Sequence, residues 1–443
     1  WPFVPMWDNH EFSWLGWQGM QRFDGVNRPA QTRKVAANQV WFEYQPARVA
    51  KVGGASLEHF DPPAVKDVAI ERFDENGFGQ EPNNLAAVAS LTGYRSLRFG
   101  AHAEILITDQ HSYRSQDPSG RPEADALESD DFPALIPEEA MRVLDAGRAY
   151  DGGKPPATIV SASAGAAVPN FRKDEPPQTI LGAEQKAWFL RRLRESRATW
   201  KVWGNSEGTL DGRADPQNLP AGMGKPWPHE GYASFGGGGD YGTAYRERGE
   251  IYDAVRAGAV TGFVTVSGDR HSFWAGLAAK ALPPAAFDPV GVAFITGSLS
   301  APGLVEAWEH RFPKDHPLRA LYLADVAGQP KPTVNMLQHH GVRACLEYQR
   351  TGDLASARRA SNPDLAPHLS FLDMGGHGYA IVHLTSEAVE CEFVCIPRPL
   401  ERSAGADGGP LRYRVLHRAA RWRDGERPRL EQRVLEGDPG LAL

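Results

Sequence analysis

Cysteine is scarce. Cys345, Cys391 and Cys395 are the three in 443 residues, too few for a disulfide framework. Cys391 and Cys395 are spaced to share one face of a strand as small buried apolar groups. No uninterrupted apolar run reaches the roughly twenty residues that a membrane-spanning helix needs. Positive charge is not in excess either. The formal net charge is −7, unsuited to non-specific binding of a nucleic-acid backbone, and small anions are left to a site that is locally positive or metal-loaded. Two catalytic signatures are missing: a glycine-rich loop ending in Gly-Lys-Ser/Thr, and His-Glu-x-x-His. The run Ser161-Ala162-Ser163-Ala164-Gly165 lacks the first glycine of a nucleophile elbow and sits in a proline-rich stretch. The chain starts at Trp1, so an upstream part, with any targeting signal, is expected to have been removed or to lie outside this chain.

What is present is a globular composition, 41% apolar and 23% charged, with twelve tryptophans and nineteen phenylalanines to bury. Apolar runs and amphipathic segments alternate, which says α/β, and no internal repeat interrupts them. Residues 1–7 read as a short buried strand. Residues 33–48 read as a helix ending at Pro46, and 50–95 as an excursion rich in Pro, Gly and Asn. A strand at 104–109 ends on Asp109. Residues 115–178 read as surface loops with one helix near 137–147. The clearest helix is 183–197, with Ala183, Ala187, Leu190 and Leu193 on one stripe. Strands follow at 201–203, 262–267 and 291–296, with a helix near 244–257. Two more strands fall within 377–396, and a hairpin at 411–434 turns near Asp424-Gly425.

Three polar clusters follow strands. Trp7-Asp8-Asn9-His10-Glu11 offers an amide oxygen for a metal and, next to it, an imidazole to donate a proton; its bland alternative is a capped turn. Gly204-Asn205-Ser206-Glu207 places an amide at a strand end, as a ligand or as part of a polar turn. In Gly268-Asp269-Arg270-His271-Ser272 the glycine permits a sharp turn, and Asp269 and His271 alternate so as to reach neighbouring ions. Carboxylate suits a hard ion and imidazole suits iron or zinc. Arg270 has the position and charge to hold a phosphate. Together the clusters are suitable parts for two-metal phosphoester hydrolysis, in which cations clamp the phosphate and acidify a water. Elsewhere, His377 fits a glycine-rich turn, with His339-His340 as the other metal-like histidines. Asp109 and Arg114 are placed to form an ion pair. Eight arginines between Arg412 and Arg433 read as a solvated hairpin or as a contact for an acidic partner.

These motifs, in this order over residues 1 to about 397, resemble the alkaline phosphatase D (PhoD-like) family. The segment from Met6 to Gln18 resembles its Trp-Asp-Asp-His-Glu-type motif, 181–208 its amphipathic helix and next core strand, and 264–276 its Gly-Asp-x-His motif. Residues 291–303 and 367–385 resemble its C-terminal strands. The resemblance implies a four-layer αββα metallophosphoesterase sandwich over 1–397, incomplete at the N-terminus of this chain, with 398–443 as a C-terminal extension. It implies Asn9, Asn205 and Asp269 as ligands of one metal, His271 as ligand of another, and His10 as the acid or charge stabiliser beside the leaving oxygen. It implies two or more metal ions, iron with calcium, although zinc and manganese tolerate the same donors. It implies phosphodiester and phosphomonoester substrates and a periplasmic or secreted location. The family's earliest motifs supply a bridging aspartate and a thiolate that this chain does not contain. A separate N-terminal fragment of the same precursor is therefore expected as a partner, unless the chain is itself a fragment of a longer protein. The alternative is a non-catalytic subunit or binding module on the same fold.

Overall fold

The computed structural model describes residues 3–45, 59–163, 167–235, 239–326, 329–402, 404 and 410–443. Seven strands form a central sheet: β1 (Arg95–Phe99), β2 (Ala103–Ile107), β3 (Trp200–Gly204), β4 (Phe263–Ser267), β5 (Phe273–Ala279), β6 (Pro289–Ile295) and β7 (Leu369–Asp373). Their spatial order is β7-β5-β6-β4-β3-β2-β1. β2, β3, β4 and β6 run parallel, in a register that aligns Ile107 with Gly204, Gly204 with Val266, and Ser267 with Ile295. Their C-terminal ends therefore open along one edge, where the loops of α/β sheets gather ligand-binding groups.

Both faces of this sheet are covered, so its strands are near-continuous apolar runs. Val202, Val264, Phe273, Val292, Phe294 and Phe371 pack toward a second sheet. That sheet is antiparallel: β8 (His377–Leu384), β9 (Ala388–Ile396), β10 (Tyr413–Ala420) and β11 (Glu431–Gly437). Its Val389, Cys391, Phe393, Cys395 and Val415 complete the shared core, so both cysteines are indeed buried apolar fillers. The opposite face of the central sheet is covered by helices α1 (Gly182–Glu195) and α2 (Tyr245–Ala257), whose Phe189, Leu193, Ile251 and Val255 pack on Leu106, Trp203 and Phe263. The result is an α/β sandwich of two packed sheets with helices on the outer face of the central one. On the second sheet Tyr379, Ile381 and Val382 stay exposed. The C-terminal hairpin continues this sheet, β10 pairing along β9 with Cys391 opposite His417. Its arginines meet acidic neighbours on adjacent strands, Arg414 with Glu392 and Arg418 with Glu390. Among the described residues no helix is long and apolar enough to cross a membrane.

Several expectations need correction. Residues 3–8 form no strand, although Trp7 is buried; Pro2 and Pro5 remove ladder donors from this stretch. In α1 the stripe is turned. Ala183 and Ala187 are exposed, and the buried face is Gly182, Gln185, Phe189 and Leu193. Gln185 is buried because its amide serves the backbone of Asp109, accepting from its N–H at 2.7 Å and donating to its carbonyl at 2.8 Å. Residues 115–178 are not only surface loops: Leu127, Met141, Leu144 and Ile159 form a small core with Tyr245. In 50–95, residues 50–58 lie outside the described residues, and a helix spans Pro82–Ala89.

Candidate active site

The turn after β4 is strained. Asp269 has φ +64° and His271 φ +48°, a left-handed region that costs a non-glycine residue on the order of 1–2 kcal/mol. Strain of this kind concentrates where a site needs side chains aimed unusually. The Arg270 N–H closes the turn on the Gly268 carbonyl at 2.8 Å. His271 Nδ1 lies 2.6 Å from the Pro302 carbonyl oxygen. A carbonyl only accepts, so Nδ1 carries the proton and Nε2 is left as a bare lone pair.

Asp269 faces the first motif. Asn9 Nδ2 donates to its Oδ1 at 2.6 Å. Burial, with Asp240 and Asp8 nearby, pushes the Asp269 carboxyl up to about 6. The loop bearing Asn9 and His10 rests on a buried cation. The Lys34 ammonium lies 4.1 Å from the centroid of the Trp7 ring and 5.4 Å from that of Phe12, and donates to Ser112 Oγ at 2.8 Å. His10 itself is exposed.

Asn205 follows β3, and its N–H bonds the Val266 carbonyl at 3.1 Å. Its side chain is 1% exposed, yet neither Oδ1 nor Nδ2 has a hydrogen-bond partner among the described residues. Such an orphan costs on the order of 1–3 kcal/mol unless something binds it.

Arg270 is gripped from both ends. Nε donates to Asp240 Oδ2 and Nη2 to the Leu210 carbonyl, both at 2.6 Å, and the guanidinium lies 4.6 Å from the Trp274 ring centroid. It passes over Gly208 and Gly242, where a Cβ would collide with it. Nη1 remains buried and unpaired among the described residues.

The structure thus gathers Asn9, His10, Asp269, Arg270 and His271 around one cleft of about 790 Å³, with Asp240 at its wall. Asn205 is on the neighbouring strand end and does not line it. His339 stacks on His340 and bonds the Leu369 carbonyl, away from this cleft. His377 bonds Glu306 at 3.2 Å. The expected Asp109–Arg114 pair does not form. The Asp109 carboxylate accepts from the His111 and Ser112 N–H groups, whereas Arg114 lies 3.7 Å from Glu207 and donates to the Gly239 carbonyl. Glu207, in the cluster after β3, carries no expected role from the sequence. It is 1% exposed and lies 3.5 Å from His111, with burial and then Asp269 holding its carboxyl well above the usual range. Asp240 was missed because it follows a glycine run with no periodicity.

Among the described residues no three His, Cys, Asp or Glu side chains are grouped to hold a metal ion. The donors expected from the motifs are two amides, one carboxylate and one imidazole, with Asp240 and His10 also at the cleft. The unpaired Asn205 side chain and the bare Nε2 of His271 suit a hard or borderline cation; a second ion would need donors besides these four.

Among curated proteins none matches the sequence. The solved structure of PhoD is similar over 99% of this chain, with a TM-score of 0.53 and 14% sequence identity, a likeness of fold. This chain spans 55% of the length of that one. The family described as PhoD-like phosphatase matches residues 1–393, and the chain belongs to that family.

Proposed function

We propose that this chain is a phosphoester hydrolase acting on phosphodiesters and phosphomonoesters with bound metal. The observation that carries this reading is the meeting of Asn9 with Asp269 beside His271, at the C-terminal edge of a parallel sheet, with the unpaired amide of Asn205 at the end of the adjacent strand. Asn9, Asn205, Asp269 and His271 would hold the metal; iron and calcium, zinc or manganese all accept such donors. A bound ion supplies charge neutralisation and a more acidic water.

The chain's own residues do the rest. Arg270 is held rigid by Asp240 and Leu210, which leaves Nη1 to donate to a phosphoryl oxygen. The Pro302 carbonyl keeps His271 in one tautomer. His10, exposed at the cleft, would pass a proton to a leaving oxygen.

A non-catalytic binding module is the second reading, favoured by the absence of a three-residue His/Cys/Asp/Glu group among the described residues. Initial rates with bis-p-nitrophenyl phosphate separate the two. The hydrolase reading expects metal-dependent turnover that falls at least about 100-fold in His271→Ala. Undiminished turnover in that variant, or none in the metal-supplied protein, would contradict it.

A further inference from the structure

The cleft is far larger than a phosphate, and most of it is not polar. Beyond Asp269 and Arg270 its walls are Trp14, Leu15, Phe235, Trp274 and Trp308. Phe235 and Trp308 lie 6.1 Å apart, centroid to centroid, at 45°, presenting flat apolar faces of the kind that stack on rings.

Polar side chains also line this part, Ser234 beside Phe235, Arg311 one turn after Trp308, and Gln338. Gln338, on the helix Val334–His340, lines the cleft and is 1% exposed. Both Oε1 and Nε2 are buried without a hydrogen-bond partner among the described residues. A Cβ on Gly212 would sit 3.2 Å from Oε1, so the amide is packed against that backbone. Leaving both ends of an amide unmade is unfavourable. A ligand edge with an adjacent donor and acceptor would satisfy both at once.

Resting on the hydrolase reading above, we infer that one ester arm of the substrate is a flat heteroaromatic ring with adjacent donor and acceptor, as on the edge of adenine. The ring lies against Trp308 and Phe235, and Gln338, whose amide is buried in the wall, turns toward the cleft to read its edge. Gln338 accepts from the ring's exocyclic N–H and donates to its neighbouring ring nitrogen. The phosphate is directed to Arg270 at the other end. An alkyl arm would fill the same volume but leave Gln338 unpaired.

The test is binding, read from tryptophan fluorescence and calorimetry, and does not need turnover. Adenosine 5′-monophosphate and phenyl phosphate are compared on the wild type and on Gln338→Met, which keeps the volume and removes the amide. The wild type should bind the adenosine compound at least tenfold more tightly, and the ratio should fall toward one in Gln338→Met. Equal affinities in the wild type, or a ratio that survives Gln338→Met, overturn the inference. So does tighter binding of decyl phosphate than of the adenosine compound. If Gln338→Met does not fold, the wild-type comparison still decides. The predicted preference without turnover of any phosphodiester would sustain this inference and defeat the hydrolase reading. Turnover with equal affinities would do the reverse.

Discussion

Asn9 and Asp269 are 260 residues apart in sequence and meet through a 2.6 Å hydrogen bond from Asn9 Nδ2 to Asp269 Oδ1. The contact closes the site, because it joins a loop that is not part of the sheet to the strained turn after β4. It also places an amide and a carboxylate where one ion could take both, once the Asn9 amide turns its oxygen inward.

On the proposed reading the two hydrogen-bonded side chains act as one unit, so their effects should not add. Asn9→Ala and Asp269→Ala are each expected to lower kcat/KM for bis-p-nitrophenyl phosphate by about 100-fold or more. The double variant should lose little beyond the worse single variant. Full additivity in a double-mutant cycle would mean the two side chains work independently.

Lys34 positions the Asn9 loop without touching the cleft. Lys34→Met keeps the stem and removes the ammonium from the Trp7 ring and Ser112. The lost contacts and the relieved burial of charge offset each other, so stability should move by less than about 1 kcal/mol. Loosening of the loop should lower kcat by about tenfold. Wild-type kcat in a folded Lys34→Met protein would remove Lys34 from the account.

His417 is 0% exposed and surrounded by Phe294, Phe371 and Phe393, with neither ring nitrogen paired among the described residues. His417→Phe should stabilise the fold by about 1–2 kcal/mol, because it removes two unsatisfied polar atoms at similar volume. A lower denaturant midpoint for this variant would show that the imidazole is paired in solution.

Burial lowers His417 to about 3 and His368 to about 4. The unfolded chain binds these protons near the ordinary histidine value. The stability they contribute is therefore present above roughly pH 6.5 and lost as pH falls through 4 and 3. Near pH 5 the two together should cost about 3 kcal/mol per pH unit. In His417→Phe the slope between pH 6 and 5 should be shallower by about 1 kcal/mol per pH unit; parallel pH curves for the two proteins would contradict this.

Much of the sheet was legible, because β2, β3, β4 and β6 are apolar runs ending in polar clusters. The helix near 244–257 and the hairpin turning at Asp424-Gly425 were legible for similar reasons. What failed did so for physical causes. The stripe on α1 was misread because polar Gln185 is buried to serve the Asp109 backbone, while Ala183 and Ala187 face solvent. The first residues are apolar but carry prolines, so burial of Trp7 came without a strand. In the site, Asn9, His10, Asp269, Arg270 and His271 stood in motifs after predicted strands. Asp240 and Gln338 did not. Each reaches the cleft from a loop or helix whose approach depends on tertiary packing, and no local pattern marks it.

The most direct measurement is elemental analysis of the purified protein after dialysis against iron, calcium, zinc or manganese, with the wild type beside Asp269→Ala. At least one equivalent of metal per chain in the wild type, and less than about a tenth of that in the variant, is the expected result. A wild type that retains no metal, or a variant that retains as much, would contradict the proposal that Asn9, Asn205, Asp269 and His271 form a metal-holding site.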